Sequence, residues 1–358
     1  IVEVASMLVG HIRGGLGIVT ILGCMFFASM IGSGPGTVAA MGSIMIPSMI
    51  KRGYSPEYAA GVSATGGTLG ILIPPSNPMI IYGVVANTSI AGLFMAGFIP
   101  GFVMTTSMCI TAYCIARKRG YKGTGEKFSV YGLLKAIWDG KWALATPAII
   151  LGGIYGGVFT PTEAAAVSVV YGLVVGVFIY REVKMKDMID ILVDSGKTTG
   201  GIMLIIGAAT LFSYVCTVFG IAQAAQALLL QIAGNKYIFL LIVNVIFLIA
   251  GCFVDANSAM YIFIPIMYPV ATQLGIDPVH FGVIATVNLA IGQVTPPVGV
   301  NLFVAIGVSE KLRGLRDKTK VTIVSMSKAV WPQIVACVIT LLIVTYVPWF
   351  STVLLFGK

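Results

Sequence analysis

The chain has 358 residues, of which 58% are hydrophobic and 10% charged, with a mean hydropathy of +0.98 and a net charge of +9. Soluble domains carry about 25% charged residues, so the composition excludes a soluble globular protein and predicts an all-α polytopic membrane protein in a lipid bilayer. The Lys and Arg residues lie in loops between apolar segments, so the positive charge indicates membrane topology and no nucleic-acid partner.

The apolar segments divide the chain into five parts. The first amphipathic run predicts a short helix in the membrane interface, and the second and fourth parts each contain an apolar hairpin followed by an interrupted helix. The predicted parts are an interfacial arm (1–13), a hairpin with a broken helix (14–91), spans with basic connectors (92–234), a second hairpin with a broken helix (235–309), and a basic loop with a last span (310–358). Within the third part, spans are predicted near 92–116, 142–158, 163–180 and 198–217, with a basic connector at 117–141. The loop of the last part carries Lys311, Arg313, Arg316, Lys318 and Lys320.

Two interruptions match each other across the chain. Gly292 lies 222 residues after Gly70, and each is followed four residues later by a Pro-Pro pair. The same offset aligns Gly53 with Gly275 and Pro56 with Pro278. Proline donates no N–H and clashes with the preceding turn, so each pair breaks a helix and exposes carbonyl oxygens. Paired breaks in two halves of a membrane protein predict a transport site near the bilayer midplane.

The distribution of basic residues tests the orientation of the two halves. If Lys51 and Arg52 are cytoplasmic, then of 22 Lys and Arg residues only Lys236 and Lys358 fall outside. This obeys the positive-inside rule and makes the two repeats inverted. Hairpins that fully span the membrane would give the same count. The polar tips, Gly-Ser-Gly-Pro-Gly at 32–36 and Asp-Ala-Asn-Ser at 255–258, favour re-entrant hairpins because such sequences are poor neighbours for lipid.

The hairpin tips supply the candidate site residues. Ser33 and Asp255 or Asn257 precede helical arms, where they are suited to N-capping and where the positive helix end is suited to an anionic substrate. Asp255 is an acid deep in an apolar region. Burying a charge there is costly, so such a residue is a candidate for function. Candidate substrate-binding residues are Ser33, Ser76, Asp255 and Asn257. Glu163 instead completes a capping box with Thr160, so we interpret it as structural.

Other functional classes remain open from the residues alone. A membrane-embedded enzyme would use Ser33 or Asp255, although neither histidine lies beside an obvious acid. A channel fits two inverted broken helices less well than a carrier does. Proton coupling requires titratable groups, and Asp255 is nearly alone, whereas carbonyl-rich breaks suit a hard cation such as Na⁺. The six cysteines have no metal-ligand spacing and are interpreted as packing residues.

Several motifs in order resemble the large membrane subunit of tripartite ATP-independent periplasmic (TRAP) transporters over nearly the whole chain. They are GSGPGTVAA (32–40), RGY (52–54), GTLGILIPPS (67–76), FTPTEAA (159–165) and GQVTPPVG (292–299). The family's large subunit normally has further helices ahead of the position of Ile1. The resemblance implies an elevator-type ion transporter in the bacterial inner membrane, with a small four-helix membrane subunit, separate or fused, and a periplasmic substrate-binding protein. It also implies that 14–91 and 235–309 are the two halves of a transport domain, which moves against a scaffold formed by the spans in 92–234 and 310–358.

The same resemblance implies sodium-driven uptake of an organic acid, of the sialic acid or C4-dicarboxylate class, with two or more Na⁺ ions. The tip at 32–36 is somewhat more similar to the sialic-acid members. The implied sodium ligands form two sets. The first set is Ser29, Gly32, Ser33, Gly70, Ile73 and Pro75, and the second is Gly251, Asp255, Gly292, Thr295 and Pro297.

Overall fold

The computed structural model describes residues 2–123, 129–311 and 321–355. All regular structure within these ranges is helical, as the composition predicts. The α-helices are α1 (Val2–Val9), α2 (Gly15–Ile31), α3 (Gly34–Lys51), α4 (Pro56–Gly66), α5 (Leu69–Leu72), α6 (Asn77–Val85), α7 (Ile90–Arg119), α8 (Val130–Asp139), α9 (Lys141–Tyr155), α10 (Pro161–Val174), α11 (Met185–Val218), α12 (Ile221–Ala233), α13 (Lys236–Phe253), α14 (Ala256–Gln273), α15 (Pro278–Gly292), α16 (Val300–Lys311), α17 (Ile323–Tyr346) and α18 (Trp349–Thr352).

Both predicted hairpins form, and local chemistry explains where they turn. Gly32 ends α2 in the left-handed region, at φ 65°, and the Ser33 side chain then accepts a hydrogen bond from the Gly36 N–H to begin α3. In the second hairpin Asp255 caps α14 in the same way. Asp255 follows Ser33 by the same 222-residue offset as the helix breaks, so the tips belong to the repeat.

Both predicted broken helices also form. In the first, the break separates α5 from α6, and in the second the break separates α15 from α16. The peptide bond between the two prolines is cis in each, at Pro74–Pro75 and Pro296–Pro297. The N-caps of α4 and α15 are equivalent as well, because Ser55 accepts from the Tyr58 N–H and Asp277 accepts from the His280 N–H.

The two repeats are interlocked by their second arms. Helix α3 of the first hairpin packs against α16 of the second broken helix, and α14 of the second hairpin packs against α6 of the first. Each hairpin also contacts the broken helix of its own repeat, through α2 with α5 and α13 with α15. Both hairpin tips are consequently held beside the helix breaks, near the middle of the packed unit.

Helices α7 and α17, which the sequence placed among the scaffold spans, pack directly against the hairpins and broken helices. They contact each other, and each crosses to the other repeat, α7 to α15 and α17 to α4. A buried hydrogen bond joins α4 to α17, in which Thr65 Oγ1 donates to Gln333 Oε1 at 2.9 Å, and a partly buried one joins α17 to α7, in which Thr340 Oγ1 donates to Ser107 Oγ at 3.1 Å. By packing, α7 and α17 are part of the same core as the hairpins.

Helices α8 to α11, here called the outer group, have large exposed apolar surfaces. Helices α8, α9 and α10 pack in chain order, whereas α11 packs on α12 and α14. Only 11% of the apolar window of the span Pro161–Ile179 and 12% of that of Lys186–Val218 is buried, against 72% for Pro56–Val85. Side chains this apolar and exposed suit contact with lipid or with another membrane subunit. The outer group meets the core chiefly where α11 packs on α14.

Several boundaries differ from the sequence-based expectation. The predicted connector 117–141 contains an additional amphipathic helix, α8, and α11 begins at Met185 rather than near Thr198. The predicted span 142–158 is the 15-residue helix α9, with Pro147 inside it. The span predicted at 163–180 ends in a π-helical turn over Val175–Ile179. The basic residues predicted in the loop after Lys311, namely Arg313, Arg316, Lys318 and Lys320, lie outside the described residues.

Six helices in the described ranges are long and apolar enough to cross a membrane, which agrees with an all-α polytopic fold. They are Pro56–Val85, Ile90–Arg119, Pro161–Ile179, Lys186–Val218, Lys236–Phe253 and Ile323–Tyr346. The first of them is the whole first broken helix, so its break lies near the middle of a 30-residue span. A tip held beside that break therefore lies deep in the span, as a re-entrant hairpin requires.

Candidate functional site

A cavity of about 80 Å³ lies between the two hairpin tips and the two helix breaks. Each repeat contributes a tip to it, and polar side chains and helix N-termini face one another across a small volume. Its lining residues are Gly32, Ser33, Gly34, Pro35, Ile71, Asn77, Pro78, Asp255, Ala256, Asn257 and Gln293. The two tips, predicted from sequence positions 222 residues apart, are thus brought to one place.

Three of the four predicted substrate-binding residues line this cavity: Ser33, Asp255 and Asn257. The Asp255 carboxylate caps α14, because its Oδ2 accepts from the N–H groups of Asn257 (3.0 Å) and Ser258 (3.1 Å). The buried Asn257 Oδ1 has no hydrogen-bond partner among the described residues. The N-terminal ends of α3 and α14 both open on the cavity, and such ends favour an anion.

Ser76, the fourth predicted residue, lies outside the cavity lining. Its side chain is fully buried, donates a hydrogen bond to the Ile71 carbonyl and accepts one from the Met79 N–H, so it caps α6. The neighbouring residues Asn77 and Pro78 reach the cavity instead. The sequence places Ser76 directly after the Pro-Pro pair, but it cannot tell which way the hydroxyl points.

The first set of predicted sodium ligands is brought together in part. A methyl group added to Gly32 would lie 2.8 Å from the Pro75 carbonyl oxygen, and one added to Gly70 would lie 2.5 Å from the Ser33 carbonyl oxygen. These close approaches require glycine. Ser29 Oγ donates to the Phe26 carbonyl oxygen at 2.6 Å within α2, and Ile73 follows α5 in the break.

The second set is built around a contact between two glycines. A methyl group on Gly292 would lie 2.5 Å from the Gly251 Cα, so the first arm of the second hairpin meets the helix break directly. Thr295 Oγ1 donates to the Ile291 carbonyl at 2.7 Å, which leaves its lone pairs available to a cation. Asp255 stands at the tip above this contact, and Pro297 lies in the break that begins there.

Several candidate residues were not predicted from the sequence. Thr37 Oγ1 lies beside the Ser33 carbonyl, 2.6 Å from a methyl group added to Gly70. Gln293, Asn77 and Ile71 line the cavity, and Asn301 is fully buried behind it. For Gln293 the sequence does contain a signal, because its amide side chain interrupts an apolar stretch inside the second Pro-Pro motif.

The proposed capping role of Glu163 is confirmed by the geometry. The Thr160 N–H donates to Glu163 Oε2 at 2.8 Å, and the Glu163 N–H donates to Thr160 Oγ1 at 3.3 Å. Glu163 lies in the first turn of α10, which belongs to the outer group, and it does not line the cavity. The side chain therefore fixes the start of a span.

Comparison with known proteins decides the family. The profile described as "Tripartite ATP-independent periplasmic transporter, DctM component" matches residues 1–350. The chain belongs to the DctM family. Together with the six apolar helices, this membership makes it a multi-pass protein of the bacterial inner membrane. Its relatives are transport permeases, which excludes the alternative of an intramembrane enzyme.

Individual relatives of this DctM protein differ in what their names say they transport. It is 42% identical over 97% of its length to the "Isethionate TRAP transporter permease protein DctMQ" of Oleidesulfovibrio alaskensis, of which it spans 53%. It is 41% identical over 99% of its length to the C4-dicarboxylate large permease of Pseudomonas aeruginosa, of which it spans 80%. It is 37% identical over 98% of its length to the sialic acid large permease of Vibrio cholerae, of which it spans 79%.

Proposed function

We propose that this DctM protein carries out sodium-coupled uptake of a small organic anion by an elevator mechanism. The observation that carries the proposal is the cavity between the two tips, in which two helix N-termini and a carboxylate meet beside two helix breaks. Helix N-termini supply partial positive charge for the anion, and the oxygens of the breaks supply ligands for the cation. Coupled movement of an anion and a cation requires the anion-binding helix N-termini and the cation-binding oxygens to lie in one site.

The packing favours a division of the helices into a moving unit and a scaffold that differs from the division predicted from the sequence. The hairpins, the broken helices, α7 and α17 would form the moving transport unit, because buried and partly buried hydrogen bonds join them. Helices α8 to α11 would form part of the scaffold, because their exposed apolar surfaces offer contact with lipid and with a partner. The predicted small four-helix subunit would complete the scaffold, and the fused name DctMQ of one relative is consistent with such a partner.

The substrate class is an organic acid delivered by a periplasmic binding protein. Relatives are named for isethionate, C4-dicarboxylates and sialic acid, all of which are anions. The cavity lining contains no lysine or arginine among the described residues, so the acid would be held by helix N-termini, Ser33 and Asn257. For an anion held by partial charges and hydroxyls, only one charged group loses its hydration, whereas both groups of a buried ion pair do.

Sodium is the proposed coupling ion because the break regions contain many oxygens and few groups that titrate. Among the described residues, Asp255 is the one carboxylate in the cavity lining, whereas a proton carrier needs a chain of titratable groups. Two ions are expected, one at each break.

The test is uptake by the full transporter reconstituted in liposomes with its small subunit and binding protein. Labelled sialic acid, succinate and isethionate are offered under an inward sodium gradient or under a proton gradient alone. Uptake of one of these acids with sodium only supports the proposal. Uptake driven by protons alone would contradict the sodium assignment, and no sodium-dependent uptake of any organic acid would contradict the transport proposal.

A further inference from the structure

Three oxygen atoms from three separate elements converge on the space beside Gly34, the first residue of α3. A methyl group added to Gly34 would overlap Gln293 Oε1 and would lie 3.0 Å from Asn301 Oδ1 and 3.1 Å from the Gly67 carbonyl oxygen. Gln293 belongs to the second break, Asn301 to α16, and Gly67 to the turn between α4 and α5. The absence of a Cβ on Gly34 is what lets these three oxygens approach the start of α3.

Both side-chain oxygens are buried without a partner. Gln293 is 3% exposed and Asn301 is 0% exposed, and neither amide oxygen accepts a hydrogen bond from any described residue. The Gly67 carbonyl accepts from the Gly70 N–H and keeps a second lone pair. Buried polar atoms are paired in the great majority of cases, because leaving one unpaired is costly. Two such oxygens pointing to the same place therefore indicate a ligand that both of them bind.

The chemistry of the three oxygens defines that occupant. All three are acceptors, so an anion or another acceptor is repelled. One water molecule can donate to only two of the three oxygens, whereas a cation attracts all three at once. The ligands are uncharged amide and peptide carbonyls, which suit a monovalent cation, because divalent ions in proteins are held mostly by carboxylates.

We propose that Gln293, Asn301 and the Gly67 carbonyl form a monovalent-cation site, suited to Na⁺, that is separate from the two expected at the helix breaks. The first expected set is Ser29, Gly32, Ser33, Gly70, Ile73 and Pro75, and the second is Gly251, Asp255, Gly292, Thr295 and Pro297. Neither set contains Gly67, Gln293 or Asn301. Gln293 also lines the cavity between the tips, so an ion can reach the site from that cavity.

The site is placed to link the two repeats. Asn301 already bridges them, because its Nδ2 donates to the Ala64 carbonyl oxygen of α4 at 3.4 Å. An ion shared by Gln293, Asn301 and Gly67 would draw the second broken helix towards the first and close the space behind the first hairpin tip. In this role the site rests on the proposed function, since it would make closure depend on sodium. Binding of the ion itself can be measured without transport.

The experiment measures the thermal stability of the full protein with its partner subunit, without substrate, across NaCl concentrations at constant ionic strength with choline chloride. An ion that binds only the folded state raises stability in proportion to ln[Na⁺] at saturation, and the slope counts the bound ions. We expect Gln293→Leu and Asn301→Leu each to lower that slope by about one ion. Gln293→Glu, which keeps an oxygen at this position, is expected to retain it.

The matched control is Gln333→Leu. Gln333 is also a fully buried glutamine with an unpartnered side-chain atom, Nε2, in the same core, but it lies on α17 away from the cavity. This variant is expected to lower the melting temperature and to leave the slope unchanged. An unchanged slope in Gln293→Leu and Asn301→Leu would overturn the site and leave water as the occupant.

A second measurement covers the case in which the leucine variants fail to fold. Adding a carboxylate to a cation site favours divalent ions, so CaCl₂ is expected to stabilise Gln293→Glu and Asn301→Asp but not the unaltered protein. Equal responses to CaCl₂ would overturn the site. If the sodium slope changes as expected but reconstituted uptake fails, the ion site stands and the transport proposal falls.

Discussion

At the scale of single residues, Asp255 has a structural and a proposed functional role that can be separated. Its carboxylate caps α14, which is worth about 1 kcal/mol, and it retains lone pairs for a cation. We expect Asp255→Ala to stay folded, to lose about 1 kcal/mol of stability and to lose sodium-dependent uptake. Thermal unfolding and liposome uptake measure the two effects.

The control for this variant is Asp277→Ala. Asp277 occupies an equivalent capping position, where it accepts from the His280 N–H at 2.9 Å, but it lies outside the cavity lining. We expect a similar loss of stability with uptake retained. Normal uptake by Asp255→Ala would remove Asp255 from the site.

Ser33 and Ser76 offer a second comparison between equivalent caps. Both side chains accept from a backbone N–H at the start of an arm, but only Ser33 lines the cavity. A hydrogen bond to a charged group is worth about 1.5–3 kcal/mol, so Ser33→Ala is expected to raise the KM for the organic acid about tenfold or more. Ser76→Ala is expected to leave KM unchanged. Equal KM changes in both variants would show that capping, rather than contact with substrate, explains the effect.

At the scale of the elements, the contact between each hairpin and its helix break depends on glycine. In Gly292→Ala the new methyl group would meet the backbone of Gly251, whose Cα and carbonyl carbon lie 2.5 and 2.6 Å away. Backbone cannot move aside as a flexible side chain can. We therefore expect loss of sodium-dependent uptake together with a lower melting temperature.

Gly307→Ala is the corresponding control in a neighbouring helix. Gly307 lies within α16, and a methyl group there would meet nothing within 4 Å. Alanine is favoured over glycine in a helix by up to about 1 kcal/mol, so this variant should be neutral or slightly more stable. Uptake by Gly292→Ala equal to that of Gly307→Ala would contradict the importance of the close contact.

The elements most accurately predicted from sequence are those specified by local chemistry. Proline pairs, Gly32 and the capping residues Ser33, Asp255 and Thr160 act within a few positions, so their spacing alone locates hairpins, breaks and the capping box. Helix α8 was missed because its apolar face is short and lies in a basic connector. The grouping of α7 and α17 with the core depends on contacts between distant residues, such as Thr65 with Gln333, which periodicity does not reveal.

The same distinction applies to the site. The sequence repeat indicates that two tips and two breaks are related, and the resemblance to the family suggests which carbonyls serve as ligands. The side-chain directions of Ser76 and Asn77 are settled only by the turn after the prolines. The convergence of Gln293, Asn301 and Gly67 requires three elements to be packed together, and so it has no local signature.

At the scale of the whole molecule, an elevator mechanism predicts which interface must slide. Phe98 on α7 and Tyr155 on α9 meet across the boundary between the core and the outer helices, with ring centroids 6.3 Å apart. In a background without the native cysteines, we expect a bifunctional thiol reagent to block uptake by Phe98→Cys/Tyr155→Cys. Reversal of the cross-link should restore it.

The control joins two helices proposed to move together. Ser107 and Thr340, on α7 and α17, have hydroxyl oxygens 3.1 Å apart. Cross-linking Ser107→Cys/Thr340→Cys is expected to leave uptake close to the uncross-linked value. Transport that survives the Phe98–Tyr155 cross-link would show that α7 and α9 move as one body.

The crossed arrangement of α3 with α16 and α14 with α6 has a consequence for biosynthesis. When the ribosome has released only the first repeat, its re-entrant arm and the exposed carbonyls of its first break still lack their final neighbours. The insertion machinery, a chaperone or trapped water must satisfy these groups until the later helices arrive. A nascent chain stalled between α12 and α13 should therefore be unusually sensitive to membrane proteases.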